Sequence, residues 1–328
     1  MKGAEQLSFW SVMCMKKLLF IYNPKAGKSA IRGKLSGILE ELGKLEHEMV
    51  VYPTRAAQDA VRYVETEGHR FDMIVCCGGD GTLDEVVTGM QKAGLNTPLG
   101  YIPAGSTNDF AHSLRIPKQM NMAARDIVEG SVFPCDVGKM NDDYFVYVAA
   151  FGVFTDVSYK TSQEWKNALG HLAYLLEGAR SLSNVKSWQM SFASEECSGS
   201  GKFLYGMITN SNSVGGLKGI TGRDVTLNDG MFEVTLILDP GANIIEWPLM
   251  INALLTGEKH SHIISFKTSQ VEFISEESVP WTRDGEYGGS HQQVVIENLP
   301  HALPIILTEH PEELLPMQEE NEGAEAEE

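Results

Sequence analysis

No apolar run in this chain reaches the roughly 18–20 residues that a membrane-crossing helix needs, so any contact with a bilayer has to be peripheral. Cysteine is scarce. The five (Cys14, Cys76, Cys77, Cys135 and Cys197) have no metal-type spacing, and two stand side by side in an apolar run. They read as reduced core residues of a cytoplasmic protein. Basic charge is scarce too, with 26 Lys and Arg against 44 Asp and Glu. That leaves no basic face for nucleic acid, which is excluded as a partner. Histidines are scattered, and His260 and His262, two apart beyond a helix, read as a chance pair rather than a metal site. Residues 1–14 hold no sustained apolar core and make a poor signal peptide. They are expected to be an extension or a mis-called start, because Met15 opens a stretch that runs straight into a strand.

The net charge of −18 is unevenly spread. Residues 309–328 carry nine acidic residues and no Lys or Arg, which leaves −9 for the remainder. That tail is too polar to pack and reads as a disordered, solubilising end. The rest, at 43% hydrophobic and 21% charged overall, is ordinary globular sequence, and 328 residues suit two domains.

Strand-like and helical runs alternate through residues 17–103: strands at 17–22, 47–52, 71–77 and a short one in PLGYIPAG, with helices at 30–42, 56–68 and 83–92. Short links between them argue a doubly wound parallel sheet. Three loops then fall at its ligand-binding edge, NPKAGK (23–28), GGDGT (78–82) and PAGSTNDF (103–110). The second of these is the most telling. A buried strand breaking into glycines before a helix converges backbone N–H groups on an anion. A carboxylate beside phosphate oxygens, as Asp80 would be, calls for a divalent cation between them. The alternative is a glycine-rich turn with Asp80 as the helix N-cap.

From about Cys135 the texture changes to many strands (144–153, 188–193, 202–209, 231–238, 262–268, 270–275, 293–298) with helices near 164–182 and 244–255. This indicates an all-β, antiparallel, sandwich-like second domain. Residues 301–308 are placed to return to the first domain as a last strand. The expected division is therefore 15–134 and 135–300, flanked by 1–14 and the 309–328 tail. The apolar stripe WPLMINALL (247–255) reads as a core helix, with a lipid-facing surface as the alternative. Two Asp-Gly turns stand out, at 229–230 and 284–285. Each is a hairpin signal, and Glu286 on the second could serve as a general base if it reached a substrate hydroxyl.

Taken in order, NPKAGK, GGDGTLDEV, PAGSTNDFA, CDVGKMN, LGHLAYLLEGARSL, LNDGMFEV and RDGE resemble the soluble bacterial diacylglycerol kinase family, over about residues 15–308. The resemblance implies an ATP site in a cleft between an α/β domain and a β-rich domain. Asn23, Pro24, Lys25, Ala26 and Gly27 would then lie along the nucleotide phosphates, with Thr54 as a further contact. Gly78, Gly79, Asp80, Gly81, Thr82, Leu83 and Asp84 would wrap the phosphates, Asp80 on the Mg²⁺-ATP side. Ser106, Asn108 and Asp109 would close the site. Asp229, with the carbonyls of Thr226 and Met231, would hold a structural Mg²⁺. Glu286 would be the catalytic base, with Asp284 and Asp136 as supporting carboxylates.

Three departures from that pattern are visible: Gln58 where a glycine is usual, Asp84 where asparagine is common, and Arg283 before DGE, placed to pair with Glu286 or a phosphate. The implied activity is transfer of the ATP γ-phosphate to a lipid alcohol at the membrane surface, diacylglycerol by default. A homodimer is compatible with it. A soluble-metabolite kinase of the NAD-kinase type and a non-catalytic nucleotide-binding regulator are the alternatives.

Overall fold

The computed structural model describes residues 15–152, 186–211, 213–214, 217–218, 225–241, 243 and 246–309. The N-terminal extension, the helix near 164–182 with its LGHLAYLLEGARSL motif, and all but the first residue of the acidic tail lie outside the described residues. No described helix is long and apolar enough to cross a membrane.

The first half of the chain runs β1 (Lys17–Tyr22), α1 (Ala26–Ser29), α2 (Leu35–Gly43), β2 (Glu48–Pro53), α3 (Asp59–Glu67), β3 (Met73–Gly78), α4 (Asp80–Lys92), β4 (Leu99–Pro103), α5 (Asp109–Ser113) and α6 (Met120–Glu129). The strands pair in parallel in the order β2-β1-β3-β4. Alternation within the strands explains why they read as unbroken apolar runs. Leu19, Ile21, Ile74 and Cys76 pack with α3 and α4, whereas Leu18, Phe20, Val75 and Cys77 pack with α2 and α6. Both faces of a parallel sheet are covered, so both parities must be apolar. The single helix expected at 30–42 is divided into a tight 3₁₀ turn over Ala30–Gly33 and then α2, after Ser29 takes a left-handed φ of 67°.

The second half runs β5 (Ser131–Met140), β6 (Asp143–Phe145), β7 (Val148–Gly152), β8 (Trp188–Ala193), β9 (Ser198–Thr209), β10 (Ser213–Val214), β11 (Leu217–Lys218), β12 (Phe232–Leu238), α7 (Glu246–Thr256), β13 (Ile263–Thr268), β14 (Gln270–Arg283) and β15 (Glu286–Leu307). Its strand pairs are antiparallel, in the path β13-β12-β9-β7-β14-β15 with β8 between β9 and β14. Their inner faces bury an aromatic core that includes Trp188, Phe192, Phe203, Phe232, Phe273 and Trp281. Strict alternation in β8, buried at Trp188, Met190 and Phe192, is the signature of a strand with one wet face. In α7, Met250, Ala253 and Leu254 are buried, Trp247 packs against the same core and Leu249 is half exposed, so among the described side chains most of that apolar stripe belongs to the core.

The end of β15 runs along β5 and meets β4 in parallel at Ile305↔Leu99. A single sheet therefore continues from the α/β unit into the β-rich one, and one apolar cluster spans both, from Leu83, Val86 and Met90 to Tyr147, Val148 and Ala150.

Candidate active site

In the parallel order β2-β1-β3-β4, the order in which successive strands are added reverses between β1 and β3, whose carboxyl ends open a crevice at the switch point. The chain leaves β1 at Tyr22 and β3 at Gly78, side by side. Asn23 ties the two exits together. Its N–H donates to the Cys77 carbonyl (3.0 Å), its Nδ2 to Thr82 Oγ1 (3.4 Å), and its Oδ1 accepts the Lys25 N–H (2.9 Å). Pro24 is partly buried and Lys25 exposed on this edge, while the Ala26 side chain is buried in the core. Gly27, at φ 53°, sits against the Ala104 carbonyl so closely that a β-carbon would overlap it.

The Gly78–Thr82 segment is only partly a loop. Gly79 is the N-cap of α4 in an extended conformation, and the helix begins at Asp80 itself. Asp80 is therefore not the cap. Its carboxylate instead faces the backbone N–H groups of Asn108 and Phe110 in the loop after β4, which hold its proton affinity down against the effect of burial. That loop is closed by Asn108, left-handed at φ 54°, whose amide exchanges two hydrogen bonds with Gly105 (2.9 and 3.1 Å). Gly79 and Gly105 meet back to back, and a β-carbon on Gly105 would lie 2.6 Å from Gly79 Cα. Two glycines thus let two loops form one surface. Ser106 is exposed on it and Asp109 buried behind it. Leu83, expected along the phosphates, points into the apolar core and offers only its main chain to the crevice.

Thr54 lies at the end of β2, its N–H on the Tyr22 carbonyl (2.8 Å). The turn that follows is held by a residue that sequence reading missed. Glu85, one turn into α4, accepts the N–H groups of Gln58 (2.8 Å) and Ala60 (3.2 Å). A glutamate directly after the GGDGTLD run was the available signal. Gln58 stands at φ 63° where glycine is usual. A non-glycine residue in that region costs about 1 kcal/mol or more, so Gln58→Gly is expected to raise the thermal midpoint. An unchanged or lowered midpoint would show that Gln58 makes compensating contacts.

The fourth element of the site arrives from the β-rich unit. Asp284 and Gly285, at φ 48° and 83°, form the two-residue turn between β14 and β15, with Arg283 paired to Glu286. Positive φ at both positions fits a type I′ hairpin. The buried Asp284 carboxylate accepts three N–H groups, from Val146 (2.6 Å), Tyr147 (3.0 Å) and Val148 (2.9 Å). This splits the single strand expected at 144–153 into β6 and β7, because those N–H groups face a side chain rather than a strand. It also fixes the hairpin tip. A β-carbon on Gly81 would lie 3.8 Å from Glu286 Oε1, so the glutamate stands over the Gly78–Thr82 segment.

Although their backbones pair across the hairpin, the Arg283 side chain forms no ion pair with Glu286. Its guanidinium binds Asp143 (3.2 Å) and the Tyr144 carbonyl (2.7 Å) on β6, the strand that lies against α4. Asp136 does not join the hairpin either. Its carboxylate accepts the N–H groups of Gly230 (2.7 Å) and His301 (2.8 Å) and shapes the 227–231 turn. On that turn the Asp229 carboxylate accepts the Met231 N–H (3.0 Å) and lies 3.7 Å from the Lys267 ammonium, with Thr226 exposed nearby.

Four carboxyl groups thus converge at the crevice: Asp80, Asp84, Asp284 and Glu286. Burial, reinforced by Asp109 and Asp284, pushes Asp80 up to about 7. Burial and then Asp284 push Asp84 well above the carboxylate range. Asp284 is raised to about 6 by burial, against its three N–H bonds. Burial, then Glu85, raises Glu286. Oδ1 of Asp80 and Oδ1 of Asp84 are buried and accept no hydrogen bond. Crowded, orphaned carboxylate oxygens are a donor set that suits a hard divalent cation.

A family model for the diacylglycerol kinase catalytic domain matches residues 17–140. The chain is 34% identical over 279 residues to a diacylglycerol kinase of Bacillus subtilis, covering 84% of this chain and 91% of that protein. It is 34% identical over 277 residues to one of Staphylococcus carnosus, covering 84% and 90%. A Bacillus anthracis crystal structure provisionally assigned to the same enzyme type shares the fold, with a TM-score of 0.78 at 24% identity and coverage of 91% of this chain and 97% of that one.

Proposed function

Because the chain belongs to the bacterial diacylglycerol kinase family, we propose that this lipid kinase transfers the γ-phosphoryl group of ATP to the free hydroxyl of diacylglycerol, giving phosphatidic acid and ADP. The observation that carries the reading is the stance of Glu286 over Gly81, which puts a carboxylate above a glycine surface suited to phosphates. The main chain of Asn23–Gly27 and Gly78–Thr82 cradles the phosphates, with Lys25 adding charge and Thr54, Ser106, Asn108 and Asp109 bounding the nucleotide. Asp80 and Asp84 would hold Mg²⁺, which would neutralise charge on the phosphates. A second Mg²⁺ would be held on the 226–231 turn by Asp229 and the carbonyls of Thr226 and Met231, in place of the Lys267 ammonium that now lies 3.7 Å from Asp229.

Glu286 takes the proton of the lipid hydroxyl as that oxygen bonds to the γ-phosphorus and the bond to ADP breaks. Its raised proton affinity favours that acceptance. Asp284 is a positioning residue, since its three N–H bonds hold the hairpin that aims Glu286.

The test is incubation with γ-labelled ATP and Mg²⁺ against diacylglycerol, a sphingoid base, undecaprenol, NAD and a sugar phosphate. Label is expected in the organic phase with diacylglycerol. Label on another lipid alcohol alone would replace the substrate. An aqueous labelled product, or ATP binding without transfer, would overturn the lipid-kinase reading.

A further inference from the structure

Glu246, His260 and His262 form a cluster that takes no part in the phosphoryl-transfer chemistry. We propose that they bind a divalent transition-metal ion of the zinc type. Sequence reading took the two histidines as a chance pair because their third member lies 14 residues upstream at the start of a helix. Glu246 opens α7, while His260 and His262 follow its end, in the turn that leads into β13. The chain folds back along the helix and brings all three together. His260 Nε2 lies 3.3 Å and His262 Nδ1 3.5 Å from Glu246 Oε2, and the three donor atoms all fall within 4.8 Å of one another.

Those separations match a metal's needs. With metal–ligand bonds of about 2.0–2.2 Å, neighbouring ligands of a tetrahedral ion stand about 3.3–3.5 Å apart. Two edges of the tetrahedron are already present, and the third closes by rotation of the imidazoles. All three residues are half-buried, which limits competing water yet leaves an entry path. Two of the three donor atoms are also pre-aimed, while His262 Nδ1 lies 3.2 Å from Ser261 Oγ, a contact that binding gives up. The His262 N–H donates to His260 Nδ1 (3.2 Å), which turns Nε2 toward Glu246, and Asn243 Nδ2 donates to Glu246 Oε1 (3.5 Å), which leaves Oε2 for the histidines. Binding displaces the proton from His260 Nε2, and if that proton moves to Nδ1 the long contact from His262 is given up.

Two imidazoles and one carboxylate form a borderline-soft set that favours Zn²⁺ over Mg²⁺, which prefers oxygen donors and retained waters. The two kinds of ion would therefore sort themselves, Mg²⁺ to the carboxylate-rich crevice and Zn²⁺ here. Three protein ligands leave a fourth position for water. The ion would pin the start of α7 to the segment beyond its end, fixing the helix that exposes Leu249.

The test titrates chelator-stripped full-length protein with ZnCl₂ in excess Mg²⁺, which occupies oxygen-only sites, and measures heat and thermal midpoint. One equivalent is expected to bind and raise the midpoint. His260→Ala and His262→Ala should each weaken binding by more than the roughly 10–100-fold typical of losing a supporting partner, whereas His69→Ala should change nothing. Anomalous scattering from zinc-soaked wild-type crystals gives a result even if a histidine variant does not fold. An ion among Glu246, His260 and His262 supports the site. No binding, binding untouched by the histidine variants, or an ion located elsewhere overturns it.

Discussion

Glu286→Gln is expected to lower kcat by about 10²–10⁴-fold with ATP affinity nearly unchanged. Glutamine keeps the shape of the side chain and the hairpin pairing of Arg283 with residue 286, so the nucleotide surface should stay intact. What disappears is the atom proposed to accept the hydroxyl proton. The turnover of wild type should also fall on acidification at a pH above the ordinary glutamate value, because burial raises Glu286 and only its unprotonated form can act. The variant should lack that limb. Equal losses in kcat and in ATP binding would instead show that the substitution disturbs the site as a whole.

Asp80→Asn is expected to slow turnover by about 10²–10³-fold, the scale for loss of one preorganised electrostatic contact, and at the same time to stabilise the metal-free protein. Burial and neighbouring carboxylates raise folded Asp80 from 3.8 to about 7. Below about pH 4 the folded and unfolded chains both hold this proton. Between there and pH 7 only the folded chain keeps it, so stability falls as pH rises, by about 1.4 kcal/mol per unit. At pH 8 the metal-free wild type should therefore be less stable than the variant, by up to about 4 kcal/mol. Mg²⁺ favours the charged form and should shrink that difference. Thermal midpoints of both proteins from pH 4 to 8, with chelator and with Mg²⁺, give the comparison. A wild type more stable than the variant at pH 8 without metal would mean that Asp80 is ionised and well satisfied.

What could be read from the sequence was local. Apolar runs of both parities in β1 and β3, glycines after each, and short links to helices gave a doubly wound sheet with its loops at one edge. Asp-Gly before Glu286 gave the hairpin. What could not be read depends on partners far along the chain. Nothing near residues 144–153 reveals that the Asp284 carboxylate will take three of their N–H groups. GGDGT alone cannot tell that Asp80 will face the loop after β4 and leave the cap to Gly79. Arg283 finds Asp143 and Asp136 finds the 230 turn for the same reason: charged side chains settle where tertiary structure supplies hydrogen-bonding partners. The Glu246–His260–His262 cluster needs a helix between its members before its spacing means anything.

That Asp80 and Glu286, on opposite units of the fold, act on one reacting group is tested most directly by a double-mutant cycle on kcat for diacylglycerol phosphorylation. Residues that work as a unit are strongly non-additive. If the site is shared, the Asp80→Asn, Glu286→Gln double variant should be little slower than the slower single variant. A double variant slowed by the full product of the two single losses would mean that the residues act independently, and would contradict a single site assembled from both.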